Sequence, residues 1–399
     1  MTTSQDLIST AVSEEWLNNL LSKAIEAKAS DVHIEPDRDN LRIRYRVDGL
    51  LYVSETLSIE RQEPIISRIK VVSNLDITEH RLPLDGHFEF RYGGLGGFRI
   101  FNIRVSTFPT VYGEAVVLRI LNREDSLINL DSLGFDEGQL EKVNSLITQP
   151  YGMILITGPS GSGKTTLLYS ILNILNKPTA NIITIEDPVE LQMDGVRQTQ
   201  VQDVVGLTFA KALRAVLRQD PDIVMVGEIR DSDSAQIAIQ AALTGRMLFA
   251  TFHTLSVFAV VARLIEMGIP RSVISNSIMG IISCRLVRKI CPSCKTPYQL
   301  TPNESKLLDI QNSEENNFYI GKGCDDCRQS GYIGRVGIYE VVPFDEDVRS
   351  AIIENEHPSK ITTILKNKKV KSLEESAMEK VYQGITSSQE IIRVVGKKI

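Results

Sequence analysis

Nine consecutive residues carry the clearest chemistry in the chain: Gly158, Pro159, Ser160, Gly161, Ser162, Gly163, Lys164, Thr165 and Thr166. Gly158, Gly163, Lys164 and Thr165 fit the spacing G-x-x-x-x-G-K-[ST]. The glycines let the backbone curl until several N–H groups face one hollow at the positive end of a helix, a shape suited to a phosphate chain. Lys164 would reach the β- and γ-phosphates of ATP, and the Thr165 hydroxyl would be offered to Mg²⁺. A plain glycine-rich turn needs neither the lysine nor the threonine.

Three other stretches end in side chains that such a loop requires. Residues 182–190 begin as an apolar run and deliver Glu186, Asp187 and Glu190 at its end. In an open parallel sheet that end is where ligands bind, and carboxylates there hold Mg²⁺ or orient the attacking water. Asp187, ahead of Pro188, could equally cap a helix. Residues 217–231 place Glu228 just past another apolar run. Gly227 stands where many phosphate-loop enzymes have an aspartate, so Glu228 serves alone or Glu186 shares the work. Arg230 and Asp231 are expected to orient one another. Residues 244–254 give a third buried strand ending at His253, read as a sensor of the γ-phosphate. Separately, Cys291, Cys294, Cys324 and Cys327 form two C-x-x-C pairs that suit four-thiolate binding of Zn²⁺. A redox role would need a thioredoxin-like strand–motif–helix context, which is absent. Cys284 reads as a small buried residue.

The elements that must position these groups follow from periodicity. An apolar run at 153–156 precedes the phosphate loop, and Leu167, Leu168, Ile171, Leu172 and Leu175 follow at helical spacing. From there strands and helices alternate, predicting an α/β domain with a mainly parallel sheet and helices on both faces. Upstream, residues 1–13 read as polar and loose. A helix is expected from Glu14, with Leu17, Leu20, Leu21 and Ala24 on one face. Strands at 31–36, 41–47 and 50–53, a helix at 60–72, and strands at 87–92, 98–105 and 116–121 follow. The Gly-rich stretch 92–97 joins two of them, and Asp48–Gly49 makes a hairpin. These predict an α+β N-terminal domain over 14–121, then a linker over 122–136. The phosphate-loop domain is expected over 137–290, a zinc-binding tetracysteine module over 291–340 and a helical C-terminal domain over 341–399. Arg42, Arg44 and Arg46 share a face that reads as solvated. Arg104 and Arg119 stand at strand ends, well placed to reach another subunit's phosphate. The basic run 366–371 reads as a solvated loop that could also touch anionic lipid.

Composition adds bounds. A chain of 399 residues has room for two or three domains. Its net charge of −6 argues against bulk nucleic-acid binding. No apolar run approaches the roughly 18 residues of a membrane span. The N-terminus lacks a basic-then-apolar signal region, so a cytosolic location with reduced thiols is expected.

Taken together these stretches resemble the secretion ATPase superfamily of type II secretion, type IV pilus assembly and DNA-uptake systems. The resemblance runs from about Ala29 to the C-terminus, and its most specific part is 217–231, the family's Walker B region. Residues 185–190 resemble its aspartate box and 244–254 its histidine box. The resemblance implies a RecA-like ATPase fold, a homohexameric ring, and ATP and Mg²⁺ as ligands, with Zn²⁺ in the cysteine module. It implies catalytic roles for Glu186, Glu228, His253, Arg104 and Arg119, the two arginines being brought to the nucleotide by domain movement. Glu186 and Glu228 both stand as candidates for orienting the water. It further implies pilin or pseudopilin extraction at the inner face of the membrane, an inner-membrane platform protein as partner and a cytoplasmic adapter protein; no direct nucleic-acid binding is expected, from the acidic balance and the lack of a base-stacking aromatic stripe. Position 246 departs from the family's Thr-Gly-His, being Arg246, and Leu255, Ser256 and Val257 stand where Asn-Asp-Ala is usual. With about 13 residues before the first expected helix, the family's extra N-terminal docking domain is expected to be missing. A non-hydrolysing regulatory paralogue and a nucleic-acid translocase are the rival readings.

Overall fold

The computed structural model describes residues 4–94, 97–122, 129–310 and 317–396. Contacts divide the chain into two compact units, Met1–Asp125 and Ser126–Ile399.

In the first unit, α1 (Ser4–Glu26) starts well before the expected Glu14. No glycine or proline interrupts that stretch, so the helix propagates back through residues whose polarity alone suggested a loose end. Strands β1 (Ala29–Pro36), β2 (Asn40–Val47) and β3 (Leu50–Ser58) precede α2 (Gln62–Val72), and β4 (Leu84–Gly94), β5 (Gly97–Thr110) and β6 (Gly113–Asn122) follow. Leu95 and Gly96 of the Gly-rich turn lie outside the described residues. The sheet order is β3-β2-β1-β6-β5-β4, and every pairing is antiparallel. Alternate residues such as Val32, Ile34, Ile43, Ile103 and Leu118 point to one face. There they bury against Leu17, Leu21 and Ala24 of α1 and Ile65 and Ile69 of α2. The other face is charged. Arg42 pairs with Asp37 at 2.7 Å and Arg44 with Glu35 at 2.6 Å, so this is the paired, solvated face its alternation suggested.

The second unit is built on α3 (Glu137–Ile147), β7 (Gly152–Thr157), α4 (Lys164–Leu175), β8 (Ile182–Glu186), β9 (Arg197–Gln200), α5 (Phe209–Val216), β10 (Ile223–Val226), α6 (Ser232–Leu243) and β11 (Met247–Phe252). Then come α7 (Val257–Glu266), α8 (Arg271–Ser277), β12 (Ile278–Ile290), β13 (Lys295–Tyr298), α9 (Pro302–Leu307), β14 (Phe318–Gly321) and β15 (Tyr332–Pro343). Helices α10 (Glu346–Ile353), α11 (Pro358–Asn367), α12 (Leu373–Tyr382) and α13 (Ser388–Val394) close the chain. The central sheet runs β15-β12-β7-β11-β10-β8-β9. It is parallel except for β15, which returns antiparallel along β12. Residues alternate between two cores. Leu155, Val224, Val226 and Leu248 pack on one side, while Ile154, Ile156, Met225 and Phe249 pack on the other. Burial on both faces is why these strands read as unbroken apolar runs.

Two expected boundaries are crossed by packing. Residues 123–128 of the expected linker lie outside the described set, but Leu130 and Leu133 are buried in the second unit's core, and Phe135 stacks on Tyr339 with ring centroids 3.7 Å apart. Of the stretch 291–340, the part from Tyr332 onward belongs to the central sheet, because β15 pairs with β12 from Tyr332 to Pro343.

Candidate active site

Strand β7 delivers the phosphate loop at the C-terminal edge of the sheet, where the parallel strands β8, β10 and β11 also end. Gly161 and Gly163 hold φ of 73° and 93°, a left-handed turn that a side-chain-bearing residue enters at a cost. Lys164 then opens α4, whose first-turn N–H groups have no intrahelical acceptor and face the hollow. Its ammonium donates to Gly158 O at 2.8 Å and Pro159 O at 3.0 Å. The lysine charge therefore sits inside the loop, held by the loop's own carbonyls. Burial lowers its pKa and Arg285 adds to that, whereas the carboxylates of Glu228 and Glu190 oppose it.

His253 sits 3.5 Å from Lys164 through Nδ1 and 3.4 Å from a Glu228 carboxylate oxygen through Nε2. With Lys164 donating to Nδ1, the ring proton stands on Nε2 and faces Glu228. Burial and the Lys164 ammonium push the imidazole pKa down against the pull of Glu228, so the ring is neutral at pH 7. The other Glu228 oxygen takes Arg230, and Arg230 reaches Asp187 at 3.3 Å. A continuous polar chain thus runs from the phosphate loop to the end of β8. Arg230 does not pair with Asp231, as its neighbouring position suggested. Asp231 instead caps α6, accepting from the backbone N–H of Ser234 at 2.8 Å.

Gly227 has a structural reason. Its N–H donates to Ile185 O at 2.7 Å, and a Cβ there would lie 3.2 Å from the same oxygen. The strand end lies close against β8, and a side chain at 227 would need β8 to give by a few tenths of an ångström.

Glu186 lies in a different environment from Glu228. It is 3 % exposed. One oxygen accepts from Tyr169 Oη at 2.5 Å, and the other accepts from Thr184 Oγ1 at 2.6 Å and Gln198 Nε2 at 3.0 Å. Glu190, at the same sheet edge, is exposed, and its carboxylate is close enough to act on the charge of Lys164. The sequence offered Glu190 beside Glu186 and Asp187 as a strand-end acid; its exposure next to the buried Glu186 is a tertiary signal.

Arg246 precedes β11, whose first residue Met247 aligns with Gly152, while Phe252 at the other end aligns with Thr157. It therefore stands about 20 Å along the strands from its own phosphate loop, where its guanidinium donates to Thr244 Oγ1 at 2.9 Å. The altered triplet after Thr254 is also accounted for locally. Ser256 caps α7 by accepting from Ala259 N at 3.2 Å.

Arg104 and Arg119 belong to the first unit. They are direct cross-strand partners on β5 and β6, and Arg119 donates through Nε to Asp31 at 2.8 Å while its side chain stays 63 % exposed.

The four cysteines converge, with their sulfurs all within 4.8 Å of one another. Cys291 and Cys324 are 3.8 Å apart, Cys294 and Cys327 3.8 Å, and Cys324 and Cys327 3.6 Å. A tetrahedral thiolate site with bonds of about 2.3 Å has edges of about 3.8 Å, so this is a metal-sized set. Burial opposes ionisation of Cys327, but backbone N–H groups of Cys324 and Gly331, each 3.2 Å from its sulfur, outweigh it and pull the pKa down. Cys284 lies apart. It is buried under the phosphate loop with its sulfur 3.5 Å from Ser162 Oγ.

Phosphate loop, acidic strand ends and a two-sided parallel sheet define a phosphate-loop ATPase. Within that class, residues 6–393 match the Type II/IV secretion system protein family, and the chain belongs to it. It is 44 % identical over 380 residues to the type II secretion system protein E of Pseudomonas aeruginosa, covering 95 % of this chain and 74 % of that one. It is 41 % identical over 384 residues to the type IV pilus assembly ATPase PilB of Thermus thermophilus, covering 96 % of this chain and 43 % of that one. Among solved structures, the pilus retraction motor PilT with bound ADP superposes with a TM-score of 0.62 at 25 % identity, covering 94 % of this chain and 96 % of that one. The Legionella pneumophila ATPase DotB superposes at 0.69 and 24 % identity, covering 94 % of each chain, a likeness of fold. The protein is thus a motor ATPase of the secretion and pilus class. Among the described residues no helix is long and apolar enough to cross a membrane.

Proposed function

We propose that this ATPase works as a homohexameric ring on the cytoplasmic side of the inner membrane, where ATP hydrolysis drives pilin or pseudopilin subunits out of the bilayer. An inner-membrane platform protein and a cytoplasmic adapter protein are its partners. The observation that carries the reading is the Lys164–His253–Glu228 chain on the phosphate loop. Phosphate release by the purified protein tests it, and a preparation that binds ATP without hydrolysing it would return the reading to a regulatory paralogue.

In this scheme Lys164 leaves the loop carbonyls for the β- and γ-phosphates. The Thr165 hydroxyl and Glu228 are the groups that would hold Mg²⁺, which when bound neutralises charge on the phosphate oxygens. His253, neutral and donating from Nε2, senses the γ-phosphate and reports its loss to Glu228. Glu186 is buried and held by three protein donors, whereas Glu190 is exposed at the same sheet edge and acts on the charge of Lys164, so Glu190 is assigned the orientation of the attacking water and Glu186 holds it in place.

Arg104 and Arg119 complete a nucleotide bound by another subunit, carried there by movement of the N-terminal unit. As direct cross-strand partners, the two arginines are presented together on neighbouring strands. Arg119→Ala is expected to lower turnover about tenfold or more while leaving ATP affinity close to that of the parent. An unchanged rate in the assembled ring would remove Arg119 from the reaction.

The tetracysteine cluster is assigned to structural Zn²⁺, which its sulfur spacing and the two N–H groups on the Cys327 sulfur suit. Metal analysis should return about one zinc per chain, and Cys294→Ser should lose it and lower the melting temperature. Four reactive thiols and no metal in freshly purified protein would refute the assignment.

A further inference from the structure

Helix α4 begins at Lys164, and its second turn carries Tyr169, a side chain only 1 % exposed. A buried tyrosine commonly does no more than fill space. This one has a saturated hydroxyl. It donates to Glu186 at 2.5 Å and accepts the backbone N–H groups of Glu190 at 3.2 Å and Leu191 at 3.3 Å. Burial and the adjacent Glu186 carboxylate raise the phenol pKa, so the proton stays on Tyr169 and the hydroxyl keeps its donor.

The opposite side of Glu186 is fixed just as firmly. Gln198 on β9 donates to Glu186 at 3.0 Å and to Leu191 O at 2.8 Å, and its carbonyl accepts from Met193 N at 2.7 Å. The segment 190–193 therefore hangs from two side chains, the buried Tyr169 on the phosphate-loop helix and the half-buried Gln198 on the edge strand. Leu191 is itself buried at 4 % exposed, which anchors the far side of Glu190.

We propose that the Tyr169 hydroxyl, with Glu186, is a positioning unit that ties the helix carrying Lys164 to the backbone of Glu190, so that filling the phosphate loop sets the carboxylate that orients the attacking water. The inference rests on the assignment of Glu190 in the preceding subsection. Its physical basis is reach. Tyr169 is on the same rigid helix as Lys164, so a displacement of that helix is passed to residue 190 through one hydroxyl. Misplacing a reacting group by about 1 Å costs as much as 100-fold in rate.

The test is a double-mutant cycle on the full-length protein with Tyr169→Phe and Glu190→Gln, measuring steady-state turnover, KM for ATP and the affinity of a fluorescent ATP analogue. Tyr169→Phe keeps the ring and its packing. It is expected to lower kcat between about tenfold and 100-fold with KM and analogue affinity within about twofold of the parent. Combined with Glu190→Gln it should add little further loss, because both changes disable the same step. A tyrosine that only supports the fold would instead weaken nucleotide binding as well, and its effect would multiply with that of Glu190→Gln; either result overturns the inference. Should Glu190→Gln alone leave turnover intact, the assignment of Glu190 fails, which is a different outcome from a full effect of Glu190→Gln with an inert Tyr169→Phe. If Tyr169→Phe does not fold, Glu186→Gln serves in its place, since it removes the charge but keeps an acceptor for the phenol. It should retain more turnover than Glu186→Ala, and equal rates for the two would sink the proposal.

Discussion

Lys164→Ala is expected to bring ATP hydrolysis down by on the order of 10³-fold or to background. The ammonium is the one cation on the loop itself, and in the structure it is already drawn into the hollow by the carbonyls of Gly158 and Pro159. Alanine leaves the backbone N–H groups to carry the charge of the triphosphate alone. Two further consequences separate this from general damage. The variant should keep its melting temperature, since a partly desolvated lysine is removed from a site where burial already depresses its pKa. His253 loses the cation that lowers its own pKa, so its titration should move upward, as followed by imidazole proton resonances. Steady turnover at the parent rate would mean that phosphate transfer does not occur on this loop.

Glu228→Gln should bind ATP nearly as well as the parent and turn over at least about 100-fold more slowly. The amide keeps the size of the side chain and an oxygen for Arg230, but it removes the negative charge that faces both His253 and the expected metal position. Arg230 retains Asp187, so no buried cation is orphaned and the fold should persist. The measurement is single-turnover hydrolysis beside equilibrium binding of the same nucleotide. Weakened binding with normal chemistry would make Glu228 a ground-state contact and leave the metal-side acid to be found elsewhere on the sheet edge.

Much of the site was legible because its parts are local. The phosphate loop, Glu228 and His253 each follow a short apolar run, and a parallel sheet brings the ends of such runs to one edge whatever lies between them. The four cysteines were legible from ligand type and pair spacing. Glu186 was not. As a strand-end carboxylate it looked equivalent to Glu228, and only the neighbours Tyr169, Thr184 and Gln198 make it a buried group held away from His253 and the phosphate loop's Lys164. Arg230 was misassigned for a related reason. Adjacent residues on an extended segment point to opposite sides, so Arg230 meets Glu228, two positions away, while Asp231 turns to cap α6. Arg246 stands in the motif where a histidine is usual, yet it precedes the strand that His253 follows.

By itself the amino-acid order determined the chemistry on offer and the class of each element: a phosphate cradle, acids at strand ends, a four-thiolate set, and two differently patterned halves. Those depend on spacings of a few residues, which backbone geometry converts directly into turns, helix faces and strand faces. The tertiary structure alone decided which strands became neighbours. By pairing β8 with β9 it put Gln198 beside Glu186, the phosphate-loop helix brought Tyr169 to the same carboxylate, and Glu190 was left exposed. It also returned β15 along β12, carrying part of the expected cysteine module into the central sheet. Such outcomes rest on contacts between residues far apart in the chain, where no local pattern records the partner.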